Sequence, residues 1–250
     1  MGERRSAGNV PLRGVAMDGT VRAKIEKRLV RVPVGRVALE GNLNLPEQAS
    51  GVVLFAHGSG SSRHSPRNRH VASILNEANL ATLLIDLLTR EEEAVDARTA
   101  HLRFDIGLLA ERLIAATDWL TQYPDTLHLR VGYFGASTGA AAALVAAAAR
   151  PDVVDAVVSR GGRPDLAGPV LARVRAPTLL IVGGLDFEVI ELNRAAFEQL
   201  RCEKQLVIVP GATHLFEEPG TLDEVARFAR DWFVRYLMPP QPKGDESPSS

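Results

Sequence analysis

Three residues spaced along this chain carry the parts needed for acyl transfer: Ser137, Asp186 and His214, in that order. A serine hydroxyl attacks a carbonyl only when a neighbouring imidazole takes its proton, and the imidazole needs a carboxylate to fix its tautomer and stabilise its cation. Each of the three follows a predicted strand. Ser137 is the centre of Gly135-Ala136-Ser137-Thr138-Gly139, between a β-branched and aromatic run over 127–134 and an alanine-dense run over 140–149. At such a strand-to-helix junction the central residue takes a strained backbone conformation, and side chains two places either side would collide. Glycine at 135 and 139 removes that collision. The turn lifts the Ser137 hydroxyl above the carboxyl edge of a sheet and aims the Thr138 amide, at a helix N-terminus, at the same spot. His214 is the one histidine after the candidate acid. Asp186 has two competing readings, as a cap for the helix that follows it or as a neighbour of a rival acid, Glu188.

The positioning elements follow from hydrophobic periodicity. Runs over 24–34 and 36–45 alternate apolar and polar residues around Gly35 and predict an antiparallel hairpin at a sheet edge. Apolar runs over 51–56, 80–88 and 177–182 predict strands buried on both faces, and the β-branched and aromatic run over 127–134 and the segments over 153–159 and 205–209 also read as strands. Helical spacing is read over 69–79, 104–122, 140–149, 189–200 and 222–236, a short helix or loop over 165–174, and a charged loop over 89–99. Two antiparallel strands followed by repeated β-α units predict an α/β fold: a doubly wound, mostly parallel sheet of about eight strands with helices on both faces. Ligands of such sheets bind beyond the carboxyl ends of the strands. His57-Gly58-Ser59, Asp86, Ser137, Arg160, Asp186 and His214 all fall there.

Composition narrows the function classes. The chain has 250 residues, 46% of them hydrophobic, and a net charge of −1, which fits one domain with a substantial core and no general attraction to nucleic acid. One folded domain is expected over 23–238, between a flexible segment over 1–22 and a disordered tail over 239–250. No apolar run reaches the roughly 18 residues needed to span a bilayer. A single cysteine, Cys202, excludes an internal disulfide and suits a reducing, cytoplasmic setting. No metal-ligand spacing and no cofactor motif is present. Gly58-Ser59-Gly60, with Asp86 downstream, imitates a dinucleotide fingerprint, yet its third glycine would fall at Arg63 and the serine turn would go unexplained.

Serine, acid and histidine in this chain order, each after a strand, is the order of the α/β-hydrolase fold. Together with Ala56-His57-Gly58-Ser59-Gly60-Ser61, the chain resembles the dienelactone-hydrolase-like branch of that fold over about 30–236. The resemblance implies that Ser137, Asp186 and His214 are catalytic and that the amides of Ser59 and Thr138 form the oxyanion hole. His57 would then hold the oxyanion turn, and Asp86, which precedes Ser137, would pin a loop. Dienelactone hydrolases use a cysteine nucleophile, whereas the serine here suits general carboxylester chemistry. Only about 17 residues, 160–176, separate two consecutive strands, so no large cap domain is expected and the site should be open to small esters.

The expected activity is cleavage of a small carboxylic ester by a monomer or small homo-oligomer. Thioester hydrolysis, lactone opening and acyl transfer use the same machinery, and a noncatalytic binding protein on this fold is the alternative of another class. Arg63 and Arg67 follow the loop after 51–56, and Arg160 and Arg163 follow the strand over 153–159. Guanidinium forks match carboxylate or phosphate bidentately, so these four are candidate substrate-binding residues. Pairing with Asp165 or the acidic run over 91–93 is the competing reading.

Overall fold

The computed structural model describes residues 24–238; the expected flexible segment over 1–22 and tail over 239–250 lie outside them. Eight strands form one sheet in the order β1-β2-β4-β3-β5-β6-β7-β8. β1 (Ile25–Val34) and β2 (Val37–Pro46) make the antiparallel edge hairpin, turning at Gly35, and β2 runs antiparallel to β4 (Leu80–Ile85). From β4 onward every pairing is parallel, through β3 (Gly51–Ala56), β5 (Arg130–Ala136), β6 (Val154–Arg160), β7 (Thr178–Gly183) and β8 (Lys204–Val209). The doubly wound α/β arrangement is therefore present. Strands β3, β4 and β7 are buried at every position, as continuous apolar runs require.

Among the described residues the α-helices are α1 (Pro66–Glu77), α2 (Arg90–Thr99), α3 (Ile106–Leu120), α4 (Thr138–Ala149), α5 (Phe187–Gln199) and α6 (Thr221–Leu237). One face of the sheet packs on α1 and α6 through Val71, Leu75, Val225 and Phe233. The other packs on α3 and α4 through Leu109, Leu113, Leu144 and Ala147. Alanine suits α4 twice over: it has the highest helix propensity, and its small side chain lets the helix lie close to the strands. Residues Pro164–Arg173 form 3-10 turns broken at Gly168, so nothing larger than this short segment stands between β6 and β7.

The sequence reading differs from the structure at 89–99, which is helix α2 and not a loop. Thr89 accepts from the Glu92 amide at 3.2 Å while the Glu92 carboxylate accepts from the Thr89 amide at 2.8 Å, a reciprocal cap. Only Asp96 is buried in α2, so no apolar stripe announces it. β5 also begins at Arg130 and not 127, leaving Leu127 exposed in a preceding turn.

Candidate active site

Ser137 occupies the turn between β5 and α4 with φ 50° and ψ −123°, outside the basins ordinary residues favour. The two glycines explain how the chain tolerates it. A Cβ on Gly135 would stand 2.4 Å from Ala140 Cα, and one on Gly139 would stand 2.3 Å from Ala56 O and 2.5 Å from His57 O. Any other residue at either place would force the turn apart.

Asp186 is the residue before α5, but its side chain caps nothing there. Its Oδ2 instead accepts a hydrogen bond from His214 Nδ1 at 2.6 Å. An ionised carboxylate only accepts, so the Nδ1 atom carries the proton and, in the neutral ring, Nε2 keeps a free lone pair. Glu188, the rival acid, makes no bond to the histidine. Ser137 and His214 are brought to the same stretch of β6: Arg160 O accepts from the Ser137 amide at 3.3 Å, and the next residue, Gly161, lies against the histidine. A Cβ on Gly161 would be 3.0 Å from His214 O and 3.7 Å from its ring Cε1. No hydrogen bond joins Ser137 Oγ to the ring, so the acid–imidazole half of the expected row is made and the serine half is open.

Ser59 and Thr138 meet side by side, with their hydroxyl oxygens 3.0 Å apart. The Ser59 amide has no partner among the described residues, and the Thr138 amide is one of the donors that the first turn of a helix leaves unused. Both N–H groups are thus available beside the serine turn. His57 keeps this loop in place: Leu87 N–H donates to its Nε2 at 3.1 Å, so the ring proton sits on Nδ1 and reaches Gly58 O at 3.0 Å. With both nitrogens engaged, the ring has no free position from which to move a substrate proton.

The four arginines divide. Arg63 donates to both Asp86 and Glu40, and its amide also donates to Asp86 at 2.6 Å; Asp86 thereby ties down the loop after β3. Arg163 forks onto Asp165 at 2.9 and 2.8 Å. Neither guanidinium is left over for a substrate, in contrast to the sequence expectation for them, because carboxylates hold them in place. Arg67 pairs with the exposed Glu217 at 3.2 Å, and its Nε is buried without a partner. Arg160 is 6% exposed, donates only to Asn68 Oδ1 at 3.2 Å, and has a buried Nε with no acceptor. Burial, with the Arg67 charge close by, pulls the Arg160 guanidinium down to about 10, still cationic at neutral pH.

A cavity of about 540 Å³ opens beside Ser59 and Thr138, walled by the loop from His57 to Arg67 and by Leu88, Glu93 and Arg103. Sequence reasoning missed the last part of that wall. It belongs to α2 and the turn after it, where the buried Asp96 accepts from Leu102 N, Arg103 N and Arg103 Nε. The signal present was the Thr89–Glu92 capping pattern. Leu166, Leu185, Phe187 and Leu215, each within three residues of Arg163, Asp186 or His214, are exposed apolar side chains near these residues in the chain. Among the described residues no cluster of His, Cys, Asp or Glu could hold a metal ion, and no helix is long and apolar enough to cross a membrane.

This topology, with a strained serine turn after the fifth strand and an acid and histidine after the seventh and eighth, defines an α/β-hydrolase fold. Within that class the chain belongs to the dienelactone hydrolase family, whose model matches residues 39–237. It is 67% identical to a dienelactone hydrolase from Anabaena variabilis, whose crystal structure superposes with a TM-score of 0.84 over 85% of this chain and 99% of that one. Est1E from Butyrivibrio proteoclasticus, 17% identical with a TM-score of 0.68 over 83% of this chain and 98% of its own, shares the fold. Two Mycobacterium tuberculosis proteins provisionally named phosphoribosyl transferases are 58% identical over 229 residues. Those residues are 92% of this chain and 51% of theirs, so the chain spans about half the length of these curated relatives.

Proposed function

We propose that the chain is a serine hydrolase that cleaves carboxylic esters through an acyl-enzyme on Ser137. The observation that carries this reading is the 2.6 Å bond from His214 Nδ1 to Asp186, which leaves Nε2 free to act as a base, with Ser137 and His214 both held at the end of β6. Turning the serine hydroxyl toward Nε2 completes the relay, and catalytic hydrogen bonds of this kind are often long before substrate binds. His214 takes the hydroxyl proton as Oγ bonds to the acyl carbon. The oxygen that gains charge is held by the Ser59 and Thr138 amides. Collapse expels the alcohol, protonated by His214, and water attacks the ester on Ser137 by the same steps in reverse order. The short segment between β6 and β7 supports small, accessible esters over long lipids.

A fluorophosphonate probe tests the assignment, since only an activated serine reacts quickly. Rapid labelling at Ser137, with Ser137→Ala unlabelled and its turnover of nitrophenyl esters reduced by about 10⁴-fold or more, is expected. A Ser137→Ala protein that keeps most of its activity would overturn it. A thioester and a lactone in the same panel rank the substrates of this machinery. Phosphoribosyl transfer, the activity in the name of the longer mycobacterial relatives, is the competing activity, and an assay with phosphoribosyl pyrophosphate in the same panel tests it.

A further inference from the structure

Arg160 is the one buried arginine at the carboxyl edge of the sheet that no carboxylate answers. Its guanidinium lies between the first turn of α1 and the loop that carries His214, donating to Asn68 Oδ1 at 3.2 Å and standing 6.0 Å from the centre of the Phe216 ring. Its Nε points at no acceptor although it is shut off from water. The preceding residue of the same helical turn, Arg67, brings a second cation close enough to disfavour the charge on Arg160, and its own Nε is likewise buried and unmatched. α1 adds the positive end of a 12-residue helix with no acidic residue in its first turn, although Pro66 has no N–H and Ser65 Oγ already accepts from the Asn68 amide at 3.3 Å. Two guanidinia thus converge at the start of α1, and of the two only Arg67 is paired with a carboxylate, the exposed Glu217.

We propose that this corner is an anion subsite for a phosphate monoester group, formed by Arg160, Arg67 and the N-terminal turn of α1. Arg67 shares its charge with the exposed Glu217 and Arg160 has no carboxylate, so an anion entering here meets one unanswered cation and a second guanidinium; the three terminal oxygens of a phosphate can engage both forks at once, where a carboxylate has two. The subsite adjoins the proposed hydrolase centre directly: Arg160 O holds the Ser137 amide, Phe216 is two residues from His214, and Arg67 lines the cavity beside Ser59 and Thr138. It rests on the hydrolase reading only for the claim that its ligand is part of the substrate; the binding itself does not depend on a reactive serine.

Inorganic phosphate is the probe. Calorimetric titration of the Ser137→Ala protein, with sodium chloride added to matched ionic strength as the control, is expected to show one site. Arg67→Ala and Arg160→Met should each weaken it at least tenfold, and Arg160→Lys less. Succinate should bind more weakly than phosphate to the same protein. Arg67 is half-exposed and replaceable without disturbing the core, so its variant remains informative if the Arg160 variants fold poorly. In the active protein, competitive inhibition of neutral ester hydrolysis by phosphate assigns the anion to the substrate, and noncompetitive inhibition assigns it to a free effector; either supports the site. No phosphate effect beyond that of chloride, or equal binding by Arg67→Ala and the parent, would overturn it. Phosphate binding with no esterase activity in any assay would sink the hydrolase reading and leave the subsite standing.

Discussion

Two arginines at the same edge of the sheet, Arg63 and Arg160, are buried to nearly the same degree, 9% and 6% exposed, yet live in opposite surroundings. Arg63 donates to Asp86 and Glu40, and the loop that bears it is further tied by His57, both of whose nitrogens are engaged. Arg160 has a single amide oxygen as partner and the Phe216 ring beside it, while its backbone oxygen accepts from the Ser137 amide. Arg63, after β3, is saturated with carboxylates and Arg160, at the end of β6, is not, although each guanidinium leaves its Nε buried without a partner. Leaving a buried polar group unpaired costs about 1–3 kcal/mol, and more for a charge, so a fold retains such groups where something other than stability is served. The carboxylates around Arg63 tie down the loop after β3, and no carboxylate does the same for Arg160.

The largest effect expected from probing this edge is at the acid–imidazole pair. Asp186→Asn keeps the size of the side chain but lets an amide donate to His214 Nδ1, which favours the tautomer with its proton on Nε2, where the base is needed. Turnover of a nitrophenyl ester should fall about 10⁴-fold, with little change in melting temperature. Loss of activity matched by loss of folding would make Asp186 a structural residue. Around Arg63 the order reverses. Asp86→Ala strands Arg63 with only Glu40 and frees the loop amide, which should cost about 3–5 kcal/mol of stability by denaturant unfolding, the range for breaking a buried pair. A cost under about 1 kcal/mol would mean that Glu40 alone satisfies Arg63 and that the contrast between the two arginines is weaker than their contacts imply.

This contrast lies mostly beyond what a single sequence can express. The strands were legible because the inner ones are short, largely apolar runs and the edge hairpin alternates apolar and polar residues, and the serine turn because only glycine fits at 135 and 139. Asp186 against Glu188 could not be resolved by pattern, since the choice depends on which carboxylate the His214 loop meets in space. Arg63 read as a free cation because its partners come from β2 and from the end of β4, 23 residues away on either side, and only the pairing of β2 with β4 brings them together. Arg163, by contrast, has its partner two residues on, and the sequence reading did include that pair among its alternatives. Helix α2 was missed because its charged face dominates and its capping pattern precedes no apolar run. Asn68 carries no sequence signal at all: nothing in an amide side chain within a helical run marks it as the partner of a residue 92 positions later.

The smallest effect expected is the most pointed, because its sign separates the two arginines. Replacing Arg160 by methionine removes a buried charge with no counterion and fills much of the same volume with an apolar chain. The loss of the bond to Asn68 costs about 1 kcal/mol, and the guanidinium is at the outer limit of useful contact with the Phe216 ring. Relief of the charge desolvation outweighs both, as it does where buried ion groups are exchanged for packed hydrophobic ones. A gain of about 1 kcal/mol follows, which is roughly 2–4 °C in melting temperature for a chain of this size. The same change at Arg63 abandons two carboxylates and should lower the melting temperature. Scanning calorimetry of the two variants side by side checks the signs. A destabilised Arg160→Met protein would show that its guanidinium holds α1 to the His214 loop as Arg63 holds its own, and the contrast between the two arginines would disappear.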